Sequence, residues 1–208
     1  HGALLVLDEI MCGMGRTGTT HAWEQEGVVP DIQALAKGLG GGYQPIGAIL
    51  VSQRVLSALA DGSGGFIHGH TYQAHPVACA GALEVQRIIA EERLVQSCAT
   101  MGAVLQAALR ARFAGHPFVS DVRGRGLFQA LEFSPDPARR AAFAPELHIA
   151  DRIKQAALAH GLGIYPTAGT IDGVRGDHLI VAPPYNVTSA QIEEIVERLG
   201  RSVDAAFA

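Results

Sequence analysis

Charge is scarce in this 208-residue chain: Asp, Glu, Lys and Arg make up 17% of it, and 16 basic against 20 acidic side chains leave a formal charge of -4. A surface built for nucleic acid or anionic lipid needs the opposite sign, so neither partner is expected. Aromatics are few at 6%. Cysteine is rarer still: Cys12, Cys79 and Cys98 are odd in number, far apart and outside any CxxC pattern. That spacing argues against a disulfide framework and a cysteine zinc site, and makes a reducing cytoplasm the expected compartment. Long hydrophobic runs are missing too. The longest uncharged windows, 38–53 and 62–83, are interrupted by Gly, Pro, Gln or His, so no membrane span is expected. No basic-then-apolar signal segment opens the chain.

What is plentiful is apolar residue, 48%, and glycine, with 25 positions. The first describes a soluble globular protein with enough material for a core and excludes a disordered chain. The glycines cluster before residue 82, which points to backbone brought close to a ligand rather than to flexible linkers. His1 is followed two residues later by a hydrophobic strand with no lead-in, so the chain is expected to be a fragment that lacks its beginning.

Ala3 to Leu7 is a short, branched apolar run ending in Asp8 and Glu9, the pattern of a buried parallel strand with polar groups at its carboxyl end. Ligands of open α/β sheets sit at such ends. Pro30-Asp31-Ile32 predicts a short helix capped by Asp31 and running to Ala36, with Lys37 where it stops. A second buried strand is expected over Ile46–Ser52, and helices over Val55–Leu59, Val77–Ala90 and Leu94–Phe113. From Phe118 the texture changes. Residues 118–122 and 126–133 alternate like a hairpin, 149–160 is helical, and 162–165 and 179–181 are short strands. Thr188 with Gln191 three residues on is a capping box for a closing helix to Leu199. This order predicts two α/β domains, 1–104 and 105–208.

Gly13-Met14-Gly15-Arg16-Thr17-Gly18 matches the GxGxxG dinucleotide fingerprint and follows a strand. Five residues separate strand and first glycine, two of them carboxylates whose charge opposes a pyrophosphate, so a nicotinamide site is not expected. His68, His70 and His75 lack carboxylate or thiolate company at ligating spacing, and no metal is expected there. Asp8, Lys37 and Thr71 each have an ordinary structural use as a turn, helix-end or cap residue. Together they supply what a pyridoxal phosphate site needs: an amine for an imine, a carboxylate for the pyridine nitrogen, and donors for phosphate.

At these residues the chain resembles a family. Leu5-Val6-Leu7-Asp8-Glu9-Ile10-Met11-Cys12-Gly13-Met14-Gly15-Arg16-Thr17-Gly18 resembles the strand-and-turn motif of the class III pyridoxal-phosphate-dependent aminotransferases. Residues 30–42, ending Ala36-Lys37-Gly38-Leu39-Gly40-Gly41-Gly42, resemble their Schiff-base lysine motif, and residues 68–76 their phosphate-contacting segment. Asp177-His178 and Ala182-Pro183-Pro184 resemble their C-terminal signature. The resemblance covers the second half of such an enzyme. It implies the aspartate-aminotransferase-like fold, fold type I, with the later part of the large domain over 1–104 and the small C-terminal α/β domain over 105–208.

Carried over by position, Lys37 would tether the cofactor and then shuttle a proton as general base. Asp8 would pair with the pyridinium nitrogen, Ile10 would pack on one face of the ring, and Thr71 would bind phosphate. In the family that threonine reaches the neighbouring subunit's cofactor, which implies a homodimer with shared active sites. Glu9 and Arg16 are expected to be structural or to support the site from behind, with a solvated turn an equal reading for Arg16. Met11 stands where much of the family has Gln and cannot donate a strong hydrogen bond; with Cys12-Gly13 this resembles the branch acting on ω-amino acids and amines. Ornithine-type members place Arg just before Ala-Pro-Pro, whereas here Leu179-Ile180-Val181 precede it, which disfavours ornithine or acetylornithine. Arg175 is the best remaining partner for a keto acid's carboxylate, set against an ordinary exposed loop arginine. The expected reaction moves an amino group from an amine or ω-amino acid to a keto acid such as pyruvate. The alternatives are a related lyase, mutase or decarboxylase using Asp8 and Lys37, or a silent truncated piece serving at most as a dimerisation partner.

Overall fold

The structure, a computed structural model, describes residues 1–138 and 141–208. The chain divides into two compact units, His1–Gln96 and Ser97–Ala208. In the first, β1 (Val6–Asp8), β2 (Ile32–Leu35) and β3 (Ala48–Val51) form one sheet in that order, β1 parallel to β2 and β3 antiparallel to it. Helices α1 (Gln53–Asp61) and α2 (Pro76–Glu91) follow. Pro76 takes the first helical position of α2, where its missing N–H costs nothing, and the His75 ring accepts from the Ala78 amide as a cap.

The helix predicted over residues 31–36 is a strand. Gln33 and Leu35 are buried while Ile32 and Ala34 are half-buried, a period of two, and ladders on both sides satisfy the backbone. Asp31 caps no helix; its carboxylate accepts from the Leu5 amide at 2.9 Å and lies 3.7 Å from Arg54, tying β2 to its neighbours. Strands β1 and β3 were expected to be buried, and they are not: Val6 is 60% exposed, and Ile49, Leu50 and Val51 are 66, 47 and 44% exposed. Successive strand residues point to opposite faces, so both faces of β3 are open in this chain.

The division between units falls inside α3 (Leu94–Arg112), and residue 105, the expected start of the second domain, lies further along the same helix. The second unit continues through β4 (Val119–Arg125), β5 (Phe128–Phe133), α4 (Ile149–Ala159), β6 (Tyr165–Thr167), β7 (Asp177–Val181) and α5 (Ser189–Phe207). Its sheet is antiparallel in the order β4-β5-β7-β6. Leu131, Phe133, Leu179 and Val181 line one face and meet Leu105, Leu109, Ile153, Ile192, Leu199 and Val203 from the helices. Each such side chain contributes about 1.5–3 kcal/mol on burial, so the core of this unit is its main source of stability. The capping box forms as the sequence predicts, Thr188 Oγ1 accepting from Gln191 N and Gln191 Oε1 from Thr188 N. Helix α5 runs eight residues past its expected end, because Val203 and Ala206 extend its buried stripe. Strand β6 starts at Tyr165 rather than ending there; Leu162 is spent on the end of α4, its amide bonded to Ala157 O at 2.8 Å. Pro166 is tolerated because β6 is an edge strand. Among the described residues, no helix is long and apolar enough to cross a membrane.

Candidate active site

Because β1 and β2 are parallel, their carboxyl ends lie at the same edge of the sheet. Asp8, the last residue of β1, is in register with Ala34, and Lys37 follows Ala34 by three residues. With strands about 4.8 Å apart and at most 3.8 Å per residue, the Asp8 and Lys37 Cα atoms are within roughly 16 Å. Both side chains are exposed. Asp8 Oδ1 accepts from the Ile10 amide at 2.9 Å, which fixes the carboxylate at the strand end and places half-buried Ile10 directly beyond it. Lys37 is the only lysine of the first unit; the other in the chain, Lys154, is exposed on α4 of the second.

The lysine's backbone is unusual. Lys37 has φ +39°, in the left-handed region that residues with a Cβ rarely enter and that clusters at functional positions. Its carbonyl accepts from the Gly40 and Gly41 amides at 3.1 and 2.9 Å, closing a tight 3-10 turn, Lys37–Leu39. Gly40 is buried, and a Cβ there would lie 2.6 Å from Gln44 O and 2.7 Å from Ile46 Cγ2. This glycine therefore serves the chain's packing on itself rather than a ligand.

The glycine-rich turn after β1 is also held internally. No α-helix opens after the GxGxxG run; a 3-10 turn, Ala22–Glu26, follows instead, so the dinucleotide arrangement is absent. Glu9 is 3% exposed, and its carboxylate accepts from Ala22 N at 2.9 Å, Trp23 N at 2.8 Å and Gln33 Nε2 at 3.1 Å. The structural role expected of Glu9 takes this form: it pins both ends of the loop that carries Ile10. Cys12 lies beside the same carboxylates, its Sγ 3.6 Å from Asp8 O, and burial first, then the Glu9 charge, pushes its thiol above the ordinary value. The shift favours the neutral thiol over the thiolate, the more nucleophilic form.

Thr71 is exposed in the turn preceding α2, a segment knit by His70 O to Gln73 N at 2.8 Å and Tyr72 O to His75 N at 3.2 Å. His70, Tyr72, Gln73 and His75 line one wall of an open cavity of about 740 Å³, faced by Gln44–Ala48 just beyond the lysine turn. Among the described residues, no three of His, Cys, Asp and Glu converge as they would around a metal ion.

Arg175 lies in the second unit, on a loop beside a cavity of about 220 Å³ that Asp177 and His148 also line. Its Nε donates to Asp172 Oδ2 at 2.7 Å, while Asp172 Oδ1 accepts from the Arg175 and Val174 amides at 2.8 and 3.1 Å. Those bonds, the Arg175 amide and guanidinium foremost, hold the Asp172 carboxyl down at about 2. The structure thus brings Asp8, Ile10 and Lys37 to one sheet edge, with Thr71 elsewhere in the same unit and Arg175 in the other.

Three supporting residues escape sequence reasoning: Gln33 beneath Glu9, Asp172 beneath Arg175, and Gln86 on α2, whose Nε2 reaches Gly38 O and Leu39 O at 3.2 and 2.9 Å. Each is a polar residue whose partner is set by tertiary structure or loop geometry, and none carries a motif that marks it beforehand.

The family model described as aminotransferase class-III matches residues 1–203. An uncharacterised aminotransferase of Schizosaccharomyces pombe is 47% identical over 208 residues, which is all of this chain and 45% of the yeast protein. A thermostable (S)-enantioselective ω-transaminase from Thermomicrobium roseum superposes with a TM-score of 0.89 at 35% identity, over 100% of this chain and 44% of its own. The ω-transaminase from Pseudomonas jessenii in complex with PMP superposes at 0.86 with 36% identity, over 98% of this chain and 44% of its own. The chain therefore spans somewhat under half the length of the relatives it matches.

Proposed function

This chain belongs to the class III aminotransferases and has their fold, and from that premise we propose that the polypeptide carrying it moves an amino group from an amine or ω-amino acid to a keto acid such as pyruvate. The observation that carries the reading is the parallel register of β1 and β2, which sets a carboxylate and the one amine side chain of the first unit at a common sheet edge. An amine to form an imine and a carboxylate for a ring nitrogen at that edge, with the Thr71 hydroxyl elsewhere in the unit, are residue types that pyridoxal phosphate requires, so these residues fit that cofactor. When bound, it supplies an electron sink for the pair left when a substrate carbon loses its proton.

The chain's own residues do the rest. The Lys37 amine would hold the cofactor and, when free, would act as the base that takes a proton from the substrate carbon and gives it back on the cofactor side of the imine nitrogen. The Asp8 carboxylate would hold a proton on the heterocycle nitrogen and so support the group's capacity to take up electron density. Ile10 covers a ring face and excludes water. The Thr71 hydroxyl donates to phosphate, and the Arg175 guanidinium holds the acceptor's carboxylate. Residues 1–104 serve as part of the cofactor domain and 105–208 as the small domain. The apolar, open faces of β3 and the exposed Thr71 segment support a homodimer with shared active sites. Three free cysteines support a reducing compartment, the cytoplasm. The ω-transaminases from Thermomicrobium roseum and Pseudomonas jessenii support amine or ω-amino donors.

The test is made on the full-length protein. An amine donor is expected to bleach the cofactor's colour, and borohydride is expected to fix the cofactor on Lys37. Asp8→Asn is expected to lower turnover about a hundredfold or more with an unchanged melting temperature. Fixation on Lys154 alone, or on neither lysine, would overturn the assignment.

A further inference from the structure

We propose that Gln86 is a positioning residue for Lys37: from α2, its side-chain amide holds the two peptide carbonyls that follow the lysine and so keeps the lysine's backbone left-handed. The proposal rests on Lys37 being the tether and deepens that reading. A carboxamide nitrogen carries two hydrogens, and Gln86 Nε2 places one on Gly38 O at 3.2 Å and one on Leu39 O at 2.9 Å, across 48 and 47 residues of sequence. The turn that receives them is a three-residue 3-10 segment, too short to be stable alone. Within it, Lys37 O and Ala36 O take the amides of Gly40, Gly41 and Leu39, and Gln86 takes the next two carbonyls along. Lys37 at φ +39° is the residue that would relax to a right-handed conformation if the turn came loose, which would swing its side chain to a new direction. Gln86 is half-buried on α2, which packs against this turn, so the clamp is backed by a full helix rather than by a loop.

The experiment uses full-length protein freed of cofactor, with two readouts. The first is amide hydrogen exchange at Gly40 and Gly41, whose N–H groups bond to Lys37 O; Gln86→Leu is expected to speed it about tenfold or more, the effect of losing the support of two hydrogen bonds. The second is covalent capture by pyridoxal phosphate. A lysine amine adds to the aldehyde carbon, water leaves, and borohydride hydride reduces the resulting C=N bond to a stable amine, mapped by peptide. Lys154 is the internal standard, and the ratio of Lys37 to Lys154 capture is expected to fall about fivefold. Gln86→Arg, which restores N–H donors without adding a reactive amine, is expected to recover part of both. If Gln86→Leu does not fold, Gln86→Asn, one methylene too short to span both carbonyls, must show the same two changes. Unchanged exchange and an unchanged ratio would overturn the proposal, as would a variant that loses thermal stability while both lysines react alike. Capture on neither lysine in the parent protein defeats the tether reading instead, and the exchange rates then decide the clamp alone.

Discussion

Replacing Glu9 by Ala strips the acceptor from three donors at once: the Ala22 and Trp23 amides and the Gln33 carboxamide. A buried donor left without a partner costs about 1–3 kcal/mol. Two of the three belong to half-buried residues that water can reach after the truncation, so the summed loss settles at roughly 3–5 kcal/mol, well beyond the half kilocalorie typical of surface changes. Glu9→Gln keeps one oxygen and turns its amide nitrogen toward a donor, and should cost about half as much. The site provides its own probe, because Trp23 is the only tryptophan in the chain, stacked 5.4 Å from His21 with its Nε1 bonded to Gln33 Oε1. In urea, with a slope near 2 kcal/mol per molar, the Trp23 fluorescence midpoint should move down by about 2 M in Glu9→Ala. The helical signal, drawn mostly from α3, α4 and α5, should move less. A Trp23 midpoint displaced by less than the equivalent of 1 kcal/mol, with the emission maximum unchanged, would show that the three bonds do not hold this loop.

Other perturbations address the second unit. Arg175→Ala should raise the apparent KM for pyruvate about tenfold, the worth of a charge-assisted pair, and leave that of a carboxylate-free amine donor unchanged; equal effects on both would remove Arg175 from acceptor binding. Asp172→Asn keeps Oδ1 for the two backbone amides but sets a donor against Arg175 Nε, so the pyruvate KM should rise about threefold at constant kcat, and, with the Asp172 carboxyl held at about 2, the difference should persist throughout the working pH range. Burial raises the Asp177 carboxyl above its ordinary 3.8, so the native state keeps a proton that the unfolded chain has released, and stability falls as pH rises through that window. Asp177→Asn retains the bond from Ala150 N and removes that loss: its melting temperature should exceed the parent's at pH 7 and converge with it below pH 3.8, and a lower value at pH 7 would contradict the sign.

Much of the second unit was legible because its signals are local. The Thr188 and Gln191 capping box, the alternation of β5 and the 3.6-residue stripe of α5 each need only neighbours in sequence. The lysine segment departs from its local pattern because its structure is decided by tertiary pairing. Asp31 before an apolar residue is a fair helix start, yet six residues gain little from a helix, whereas partners on both sides gave residues 32–35 a full ladder. The motif positions Asp8 and Lys37 are readable as residue types, but their shared edge depends on β2 being a strand, where local pattern alone predicts a helix. Burial of β1 and β3 failed for another reason. Apolar composition records what a strand is suited to pack against, and Val6 and Ile49 meet no such layer among the described residues.

Parallel pairing is what converts two motifs into one site, and it has a structural requirement of its own. Had β2 run antiparallel to β1 in the same register, the residues after Ala34 would have led away from Asp8 toward the opposite edge, and Lys37 would have met no carboxylate. A parallel crossover needs a long return connection, usually a helix that buries an apolar stripe and fixes the geometry. Here residues 9–31 make that return with only a five-residue 3-10 turn between them. Loops of that length without regular structure hold a shape only when something inside them does so. Glu9, at the first position of the return, reaches Ala22 and Trp23 in its middle and Gln33 on the strand it leads to. A buried carboxylate thus takes the place of the missing helix. On this argument the geometry between Asp8 and Lys37 should loosen in Glu9→Ala even though neither residue is touched, and the capture of pyridoxal phosphate on Lys37 relative to Lys154 should fall with it. Undiminished capture in a variant whose Trp23 environment has opened would mean that the β1–β2 ladder alone sets the site.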